Sequence, residues 1–255
     1  MTRLISAEVR KLATTRLWLW ILLAATAWSA GYTAPAVGFS GRAGSLTPPP
    51  LTSAAGQHAL LAIGAGGAGP LAAILGAIGM TSEYRHRTAA ATFLATPRRS
   101  RVVTAKLITF LLAGAAYGLF CDLVSLTVAL PWLAARGIHV PVAGYGNLTV
   151  QAAVIASAAI FAVAGTGLGA LTGGQLATVT GLLIYLYVAE PELTHVTALH
   201  RWTAYLPGVA ADGLTQATQA GVTLLAPWLG GIVFAGWAAA LAAAGMLRTL
   251  RRDIT

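Results

Sequence analysis

The sequence predicts an all-helical membrane protein with six transmembrane helices, and three observations support this fold class. Only 9% of the residues are charged and 57% are hydrophobic, whereas a soluble domain carries roughly 25% charged residues. The apolar residues form six runs, most of them close to the roughly 20 residues that a helix needs to cross a bilayer. The positive residues cluster at the ends of these runs, as the positive-inside rule requires. This distribution accounts for the net charge of +9 and excludes both a soluble fold and a nucleic-acid-binding protein.

An amphipathic helix is predicted at residues 2–16, before the first span. Ile5, Val9 and Leu12 fall at positions i, i+4 and i+7 on one face, and such a helix can lie flat in the headgroup region of a membrane. The span that follows could instead be a cleaved signal peptide, because residues 34–36 have the small side chains of a cleavage site. The long basic region before this span and the spans after it favour a retained helix.

The spans are separated by loops whose composition marks their ends. Proline, glycine and serine interrupt residues 37–56, and the short turn at 172–175 joins the fourth span to the fifth, so these two helices should form a tight antiparallel pair. Residues 190–221 are too polar for a span and too apolar for a free loop, and we expect this external segment to dip partly into the membrane surface. The six predicted spans are residues 17–36, 57–80, 107–133, 149–171, 176–189 and 222–246.

Charge asymmetry predicts the orientation in the membrane. Thirteen of the sixteen Lys and Arg residues lie in residues 1–16, in residues 81–106 and in the C-terminal tail, which six spans place on one side. The other three are Arg42, Arg136 and Arg201, on the opposite side. Positive residues are retained in the cytoplasm. We therefore expect both termini to be cytoplasmic in a multi-pass protein of the bacterial plasma membrane.

Motifs for nucleotide binding are absent or misplaced. Gly165, Gly167 and Ala170 match a relaxed GxGxxA pattern, but they lie inside a span with no strand before them. Gly165, Gly169 and Gly173 are better interpreted as a small-residue face for close helix packing. The sequence contains no GxxxxGK[ST] motif, so any ATP that the protein uses should be bound by another subunit.

Four candidate metal ligands follow the fifth span. Their spacing differs from HExxH and Pro191 interrupts them, so an exposed loop face explains them better than a metal site does. We therefore predict no metal, no bound cofactor and no catalytic site in this chain, which should not be an enzyme. The four residues are Glu190, Glu192, His195 and His200.

Asp122 is the one acid deep inside a predicted span. A charge at this depth costs on the order of 3 kcal/mol or more, so the carboxyl must be neutral, paired or next to water. Ser125 lies one turn away and Tyr117 lies nearby. A position on a substrate path or gate and a structural hydrogen bond between helices are both consistent with this residue.

The polar loop at residues 79–106 is the feature around which the sequence is organised. It holds six of the sixteen Lys and Arg residues and one acid, Glu83. Thr88 can cap a short helix that Pro97 ends. Such a helix, held between two spans, is suited to docking a partner. A solvated loop whose charges only orient the protein explains the same residues.

The sequence of this loop resembles that of bacterial ABC type-2 permeases. Residues 81–88, TSEYRHRT, and residues 92–99, TFLATPRR, are similar to the T-x-E-Y-R-x-G-T…T-x-x-x-x-P-x-R pattern of that family, with Arg87 where the family has Gly. Residues 7–16 and 206–208 also resemble the family. The resemblance implies that the loop is a coupling helix against a separate ATPase. The residues that it assigns to this contact are Glu83, Tyr84, Arg85, Thr88, Thr92, Phe93, Pro97, Arg98 and Arg99.

The resemblance also implies a function. It indicates the membrane-spanning subunit of an ATP-binding-cassette exporter, which moves a substrate by alternating access while a partner chain binds ATP and Mg²⁺. Two six-span subunits, identical or different, would surround the path, and short re-entrant helices would lie in residues 190–221. Two other classes stay open. One is an ion-coupled secondary transporter with Asp122 as the ion site, and the other is a membrane scaffold or immunity protein that transports nothing.

Overall fold

The computed structural model describes residues 1–40, 50–85, 99–144, 146–217 and 222–251. Regular structure in these residues is helical throughout. The α-helices, named in chain order, are α1 (Thr2–Thr14), α2 (Leu17–Gly38), α3 (Ala54–Arg85), α4 (Arg99–Ala135), α5 (Asn147–Thr172), α6 (Gln175–Ile184), α7 (Glu190–His195), α8 (Pro207–Thr215) and α9 (Pro227–Arg251). A π-helical turn (Tyr185–Ala189) joins α6 to α7, and two 3₁₀ turns (Thr197–Leu199 and Thr203–Tyr205) precede α8.

Six helical segments in the described residues are long and apolar enough to cross a bilayer, which confirms the predicted all-helical class with six candidate spans. They are α2, α3, α4, α5, the continuous α6–α7 segment and α9. The fifth ends at His195 rather than at residue 189. The π-helical turn widens this helix ahead of Pro191, whose ring would clash with an ordinary α-helical turn. The sixth begins at Pro227 rather than at residue 222, because proline is well suited to the first turn of a helix.

The α3–α5 pair forms the centre of the bundle. In the most apolar stretches of α3 and α5, 67% and 61% of the residues are buried, against 17% to 39% in the other candidate spans. A Cβ on Gly165 would lie 1.9 Å from the Ala73 carbonyl oxygen, and one on Gly169 would lie 2.9 Å from the Ala77 carbonyl oxygen. These two positions of the predicted small-residue face therefore do pack against another helix. The third, Gly173, has a φ of 73° and ends α5 instead.

The other helices surround this pair. α4 and α9 pack against α5, α2 packs against α3 and α4, and α6 packs against α3. α8 is too short to span a bilayer, and it packs against the beginning of α9. Gly230 makes this contact so close that a Cβ would lie 2.7 Å from the Ala210 carbonyl oxygen. The 190–221 segment thus includes a helix that is packed onto the bundle.

Polar contacts join helices at each end of the bundle. We call the end that holds α1, the C-terminal end of α3 and the C-terminal end of α9 the basic end. At the opposite end, Arg136 donates hydrogen bonds to the carbonyl oxygens of Val37 at 2.6 Å and Gly38 at 2.9 Å. These bonds cap the C-terminus of α2. Asn147 Nδ2 donates to Gln57 Oε1 at 3.2 Å and so joins α5 to α3.

The helix arrangement and the charge asymmetry together predict which residues face the cytoplasm. Single cysteines at Ser6 and Thr15, both exposed at the basic end, should react with a membrane-impermeant maleimide only after cells are permeabilised. Cysteines at Thr52 and His200, exposed towards the opposite end, should react on intact cells. The background is Cys121→Ala, which removes the one native cysteine so that each variant carries a single thiol. Labelling of Ser6→Cys on intact cells would contradict the orientation.

Candidate functional site

Four charged side chains from three helices meet at the basic end. Glu8 and Lys11 lie on α1, Glu83 lies at the end of α3, and Lys106 lies about two turns into α4. Lys11 Nζ donates to Glu8 Oε1 at 2.7 Å and to Glu83 Oε1 at 2.8 Å. Lys106 Nζ donates to Glu8 Oε2 at 2.5 Å and to Glu83 Oε1 at 3.1 Å. Each lysine therefore bridges both carboxylates, and we call these four residues the ionic cluster.

The ionic cluster lies largely inside the protein. Lys106 is 2% exposed, Glu8 is 6% exposed and Glu83 is 8% exposed. Burying a charge costs several kcal/mol unless an opposite charge compensates it, and here two ammonium groups balance two carboxylates. The Gly79 carbonyl accepts a further hydrogen bond from Lys106 at 3.3 Å. Burial lowers the pKa of Lys11, but its hydrogen bonds to Glu8 and Glu83 outweigh this effect, so the pKa is raised and Lys11 stays charged at physiological pH.

The packing of α1 turns its acid inward. Leu12 packs against the same hydrophobic cluster as Trp18 of α2, which fixes the rotation of α1. Glu8, one turn earlier, is then buried against Lys106, whereas Val9 is 46% exposed. The face of α1 that contacts the protein is therefore centred on Glu8, and Val9 is left on the side where lipid would contact the helix.

The ionic cluster lies at the base of the predicted coupling loop. Glu83 precedes the 86–98 segment and Lys106 follows it, so the cluster joins the two helices that this segment connects. Among the residues predicted to contact an ATPase, Glu83 is buried in the cluster. Tyr84, Arg85 and Arg99 belong to helix ends whose backbone alone is described. The remaining predicted contacts, Thr88, Thr92, Phe93, Pro97 and Arg98, lie outside the described residues.

Asp122 is buried where α2, α3 and α4 meet. It is 3% exposed, and its Oδ1 and the Ser125 hydroxyl have no hydrogen-bond partner among the described residues. A Cβ on Gly64 of α3 would lie 3.4 Å from Ser125 Oγ and 3.5 Å from Asp122 Cα. Ser29 of α2 donates to the Gly64 carbonyl at 3.3 Å. The described residues therefore supply no hydrogen bond to Oδ1 that would give Asp122 a structural role.

The four candidate metal ligands near the fifth span differ in their exposure. Glu192, His195 and His200 are exposed, whereas Glu190 is only 4% exposed. Glu190 accepts a hydrogen bond from the Val209 N–H of α8 at 2.8 Å. Within the described residues, no group of three or more His, Cys, Asp or Glu side chains is arranged to hold a metal ion.

No protein-family model, curated protein or solved structure matches the chain. The relationship of the central loop to ABC type-2 permeases therefore stays a prediction from its sequence. The structure supports a helical bundle with six candidate spans, together with an ionic cluster at the base of that loop.

Sequence reasoning identified Glu83 but missed the role of its three partners. Lys11 and Lys106 are the only lysines in the chain, and Glu8 and Glu83 are two of its seven acids. This scarcity was the available signal, because a charged residue within an apolar helix needs an opposite charge nearby. The pairing of Glu8 with Lys106 depends on how α1 docks, which no local spacing encodes.

Removing one member of the ionic cluster should destabilise the protein. Lys106→Met leaves two carboxylates facing one ammonium group, so we expect the free energy of unfolding in detergent to fall by about 3–5 kcal/mol. The double variant Glu8→Gln/Lys106→Met restores neutrality and should lose less than the two single variants combined. Glu192→Gln, at an exposed carboxylate, is the control and should change little. Strictly additive losses would mean that the cluster members do not interact.

Asp122 should behave differently from the ionic cluster. Because Oδ1 has no partner among the described residues, Asp122→Leu removes an unsatisfied buried group. We therefore expect the melting temperature in detergent to stay the same or rise. Asp122→Asn keeps the shape of the side chain and should also fold. A clear drop in the melting temperature of Asp122→Leu would show that the carboxyl makes a structural hydrogen bond.

Proposed function

We propose that this chain is the membrane-spanning subunit of an ATP-driven exporter of the ABC type-2 class. A separate ATPase would bind ATP and Mg²⁺. This chain would carry the substrate across the bacterial plasma membrane by alternating access and would perform no chemistry. The observation that carries the proposal is the ionic cluster, which joins α1, α3 and α4 at the base of the 86–98 segment. The resemblance of the loop sequence to that of ABC permeases supports it independently.

The ionic cluster makes the base of the loop resistant to deformation. Lys106 holds both Glu83 and Glu8, and separating these buried charges would cost several kcal/mol. α1, α3 and α4 should therefore move as a unit when the loop is displaced. α3 also packs directly against α5 at the centre of the bundle. In this proposal, these contacts would connect the loop, where a cytoplasmic partner would bind, to the helices at the centre.

A second six-span subunit would complete the transport path in this proposal. The most apolar stretches of α2, α6–α7 and α9 have only 17% to 22% of their residues buried. Large apolar side chains on these helices are exposed, including Trp20 at 68%, Leu176 at 82% and Trp228 at 68%. These surfaces are available to lipid and to an identical or related subunit, and both termini would lie in the cytoplasm.

An ion-coupled secondary transporter is the second candidate, and Asp122 is the observation that favours it. A buried carboxyl with an unpartnered oxygen between three helices could bind a proton or a cation. Transport would then need no ATPase, and Asp122→Asn would abolish energisation by a pH gradient. In the proposed exporter, any transport that remains in Asp122→Asn would still depend on ATP.

Purification of the tagged chain from native membranes tests the proposal. In a mild detergent it should bring down an ABC ATPase in a roughly fixed ratio, which mass spectrometry can identify and quantify. An untagged strain processed in parallel is the control. Repeated recovery of the folded chain without any ATPase would reject the exporter in favour of a secondary transporter or a scaffold.

Proline at position 91 tests the coupling role of the loop. Ala91→Pro removes a backbone donor and clashes with the preceding turn, at a cost of roughly 3 kcal/mol in a helix, and it keeps every positive charge. Insertion and topology should survive because they depend on charge number and span hydrophobicity. Transport and the effect of this subunit on ATPase turnover should fall together in the reconstituted complex.

The matched control for this variant is Ala91→Leu, which keeps a high helix propensity at the same position. It should leave ATPase turnover close to that of the wild type. If Ala91→Pro is correctly inserted and also keeps wild-type coupling, the loop is a solvated connector and the coupling role is wrong.

A further inference from the structure

A cavity lies in the half of the bundle away from the basic end. Its volume is about 350 Å³, and sites for small organic ligands have volumes of roughly 300–1,000 Å³. Its walls come from α2, α3, α5, the π-helical turn, α7 and α8. Two acids, Glu190 and Asp212, line it together with four aromatic residues, Trp28, Tyr32, Phe161 and Tyr187. In the part of the chain that the structure describes, no Lys, Arg or His is among the lining residues.

Glu190 is held in place at one side of this cavity. It is 4% exposed, and its Oε1 accepts a hydrogen bond from the Val209 N–H at 2.8 Å, at the N-terminus of α8. A Cβ on Gly208 would lie 2.8 Å from each carboxylate oxygen, so glycine permits this approach. The Tyr185 hydroxyl and the Gly208 N–H also lie close enough to interact with the carboxylate, but neither makes a hydrogen bond to Oε2, which has no partner among the described residues. One buried acceptor in the cavity wall therefore lacks a donor.

Asp212 brings a second carboxyl to the same cavity. It lies on α8, one turn after Val209. Burial, followed by repulsion from Glu190, raises the pKa of Asp212 to about 7. A positive charge between the two carboxyl groups would relieve this repulsion and allow both to ionise.

Aromatic rings form another wall of the cavity. Trp28 and Tyr32 stack with their ring centroids 5.1 Å apart, and the Tyr187 ring lies 6.3 Å from that of Trp28. Such rings supply apolar area and attract cations to their faces. Trp28 is 40% exposed and Tyr187 is 49% exposed, so this wall can be reached from outside between the first and fifth spans.

We propose that this cavity binds a lipophilic organic cation, namely a protonated amine that carries an aromatic group and has N–H donors for Oε2 of Glu190. The positive charge would lie beside Glu190 and Asp212, and the apolar part would contact Trp28, Tyr32 and Tyr187. Such a ligand would place its positive group at Oε2 of Glu190 and its apolar part against the aromatic rings. Only the assignment of this cation as the transported substrate rests on the proposed function.

Other classes of ligand fit the cavity less well. An anion would meet two carboxyl groups and no compensating cation among the described lining residues. A metal ion prefers several oxygen or nitrogen ligands, and the described residues contain no group of three or more His, Cys, Asp or Glu side chains arranged for one. A neutral apolar ligand would leave Oε2 of Glu190 unsatisfied, which costs free energy.

Binding of benzylammonium to the purified full chain in lipid nanodiscs tests the proposal. Benzyl alcohol and phenylacetate are the neutral and anionic comparison compounds with the same ring. Isothermal titration calorimetry should show saturable binding of the cation and binding of the other two that is weaker by about tenfold or more. Equal binding of all three compounds, or no saturable binding of the cation, would overturn the proposal.

Substitution of the two acids locates the site. Glu190→Gln keeps an oxygen that can accept from Val209, and Asp212→Asn keeps the size of the side chain, so α8 should stay in place. Each variant should bind the cation about tenfold more weakly, whereas Glu192→Gln, at an exposed position, should bind like the wild type. If Glu190→Gln lowers the melting temperature, a change in its affinity could come from altered folding. The affinities of Asp212→Asn and Trp28→Leu then test the location of the site instead. Wild-type affinity in correctly folded acid variants would place the cation elsewhere.

The pH dependence of binding provides a separate readout. With a pKa of about 7 for Asp212, its deprotonated fraction rises from about one tenth at pH 6 to about nine tenths at pH 8, so the affinity should rise about tenfold. Asp212→Asn should flatten this dependence, and an unchanged profile would exclude Asp212. The other titratable side chains that line the cavity are Glu190, Tyr32 and Tyr187. Tyr185 interacts with Glu190, and His58 and Tyr205 lie on elements that pack against α8. Glu192 and His195 on α7 are exposed, and Glu83, Arg248 and Arg251 lie at the basic end.

The calorimetry separates this proposal from the proposed function, because it contains no ATPase. If the chain co-purifies with an ATPase but does not bind the cation, the exporter stands and the cation site is wrong. If the chain binds the cation at Glu190 and Asp212 but no ATPase is recovered, the site stands and the exporter is wrong.

Discussion

The buried ammonium group of Lys106 constrains the whole basic end of the protein. At 2% exposure it does not reach water, so Glu8 and Glu83 must balance its charge. One of these two carboxylates comes from α1, which lies outside the six candidate spans. α1 is therefore part of the folded core and not merely a helix on the membrane surface. Its docking fixes the positions of α3 and α4 relative to each other, because separating the charges would leave one of them uncompensated.

The rest of the bundle divides into a closely packed centre and less buried surroundings. α3 and α5 approach through Gly165 and Gly169 so closely that sliding one helix along the other would cause backbone clashes. α2, α6–α7 and α9 bury a much smaller share of their residues. This low burial reflects their exposed outer faces, because α9 still approaches α5 so closely that a Cβ on Gly245 would lie 2.4 Å from the Gly167 carbonyl oxygen. The cavity lies at the boundary between the centre and the outer helices, since α3 and α5 form one part of its wall and α2 and the π-helical turn form another.

The helical class and the number of candidate spans could be predicted because a bilayer imposes a minimum length of apolar sequence on each helix. Two buried acids could not be predicted in the same way. Glu190 follows an apolar run and precedes Pro191, so it resembles the start of a polar loop, yet the N-terminus of α8 holds it inside. Glu8 resembles part of a polar helix face, yet Lys106 holds it inside. In both cases the partner lies far along the chain, and only tertiary packing brings it close.

The two pairs of acids differ in whether cationic side chains compensate their charge. This difference bears on how the bundle could change its conformation. Glu8 and Glu83 meet two ammonium groups, so their charge stabilises a single arrangement of helices. Glu190 and Asp212 share a cavity whose described lining contains no cationic residue, so their energy depends on whether a proton or a cation is present. Glu190 also holds the N-terminus of α8 through Val209, and α8 packs against α9. Because Oε1 accepts from Val209 while Oε2 has no partner among the described residues, a cation at Oε2 would bind the same carboxylate that holds α8, and α8 would link the site to the last span.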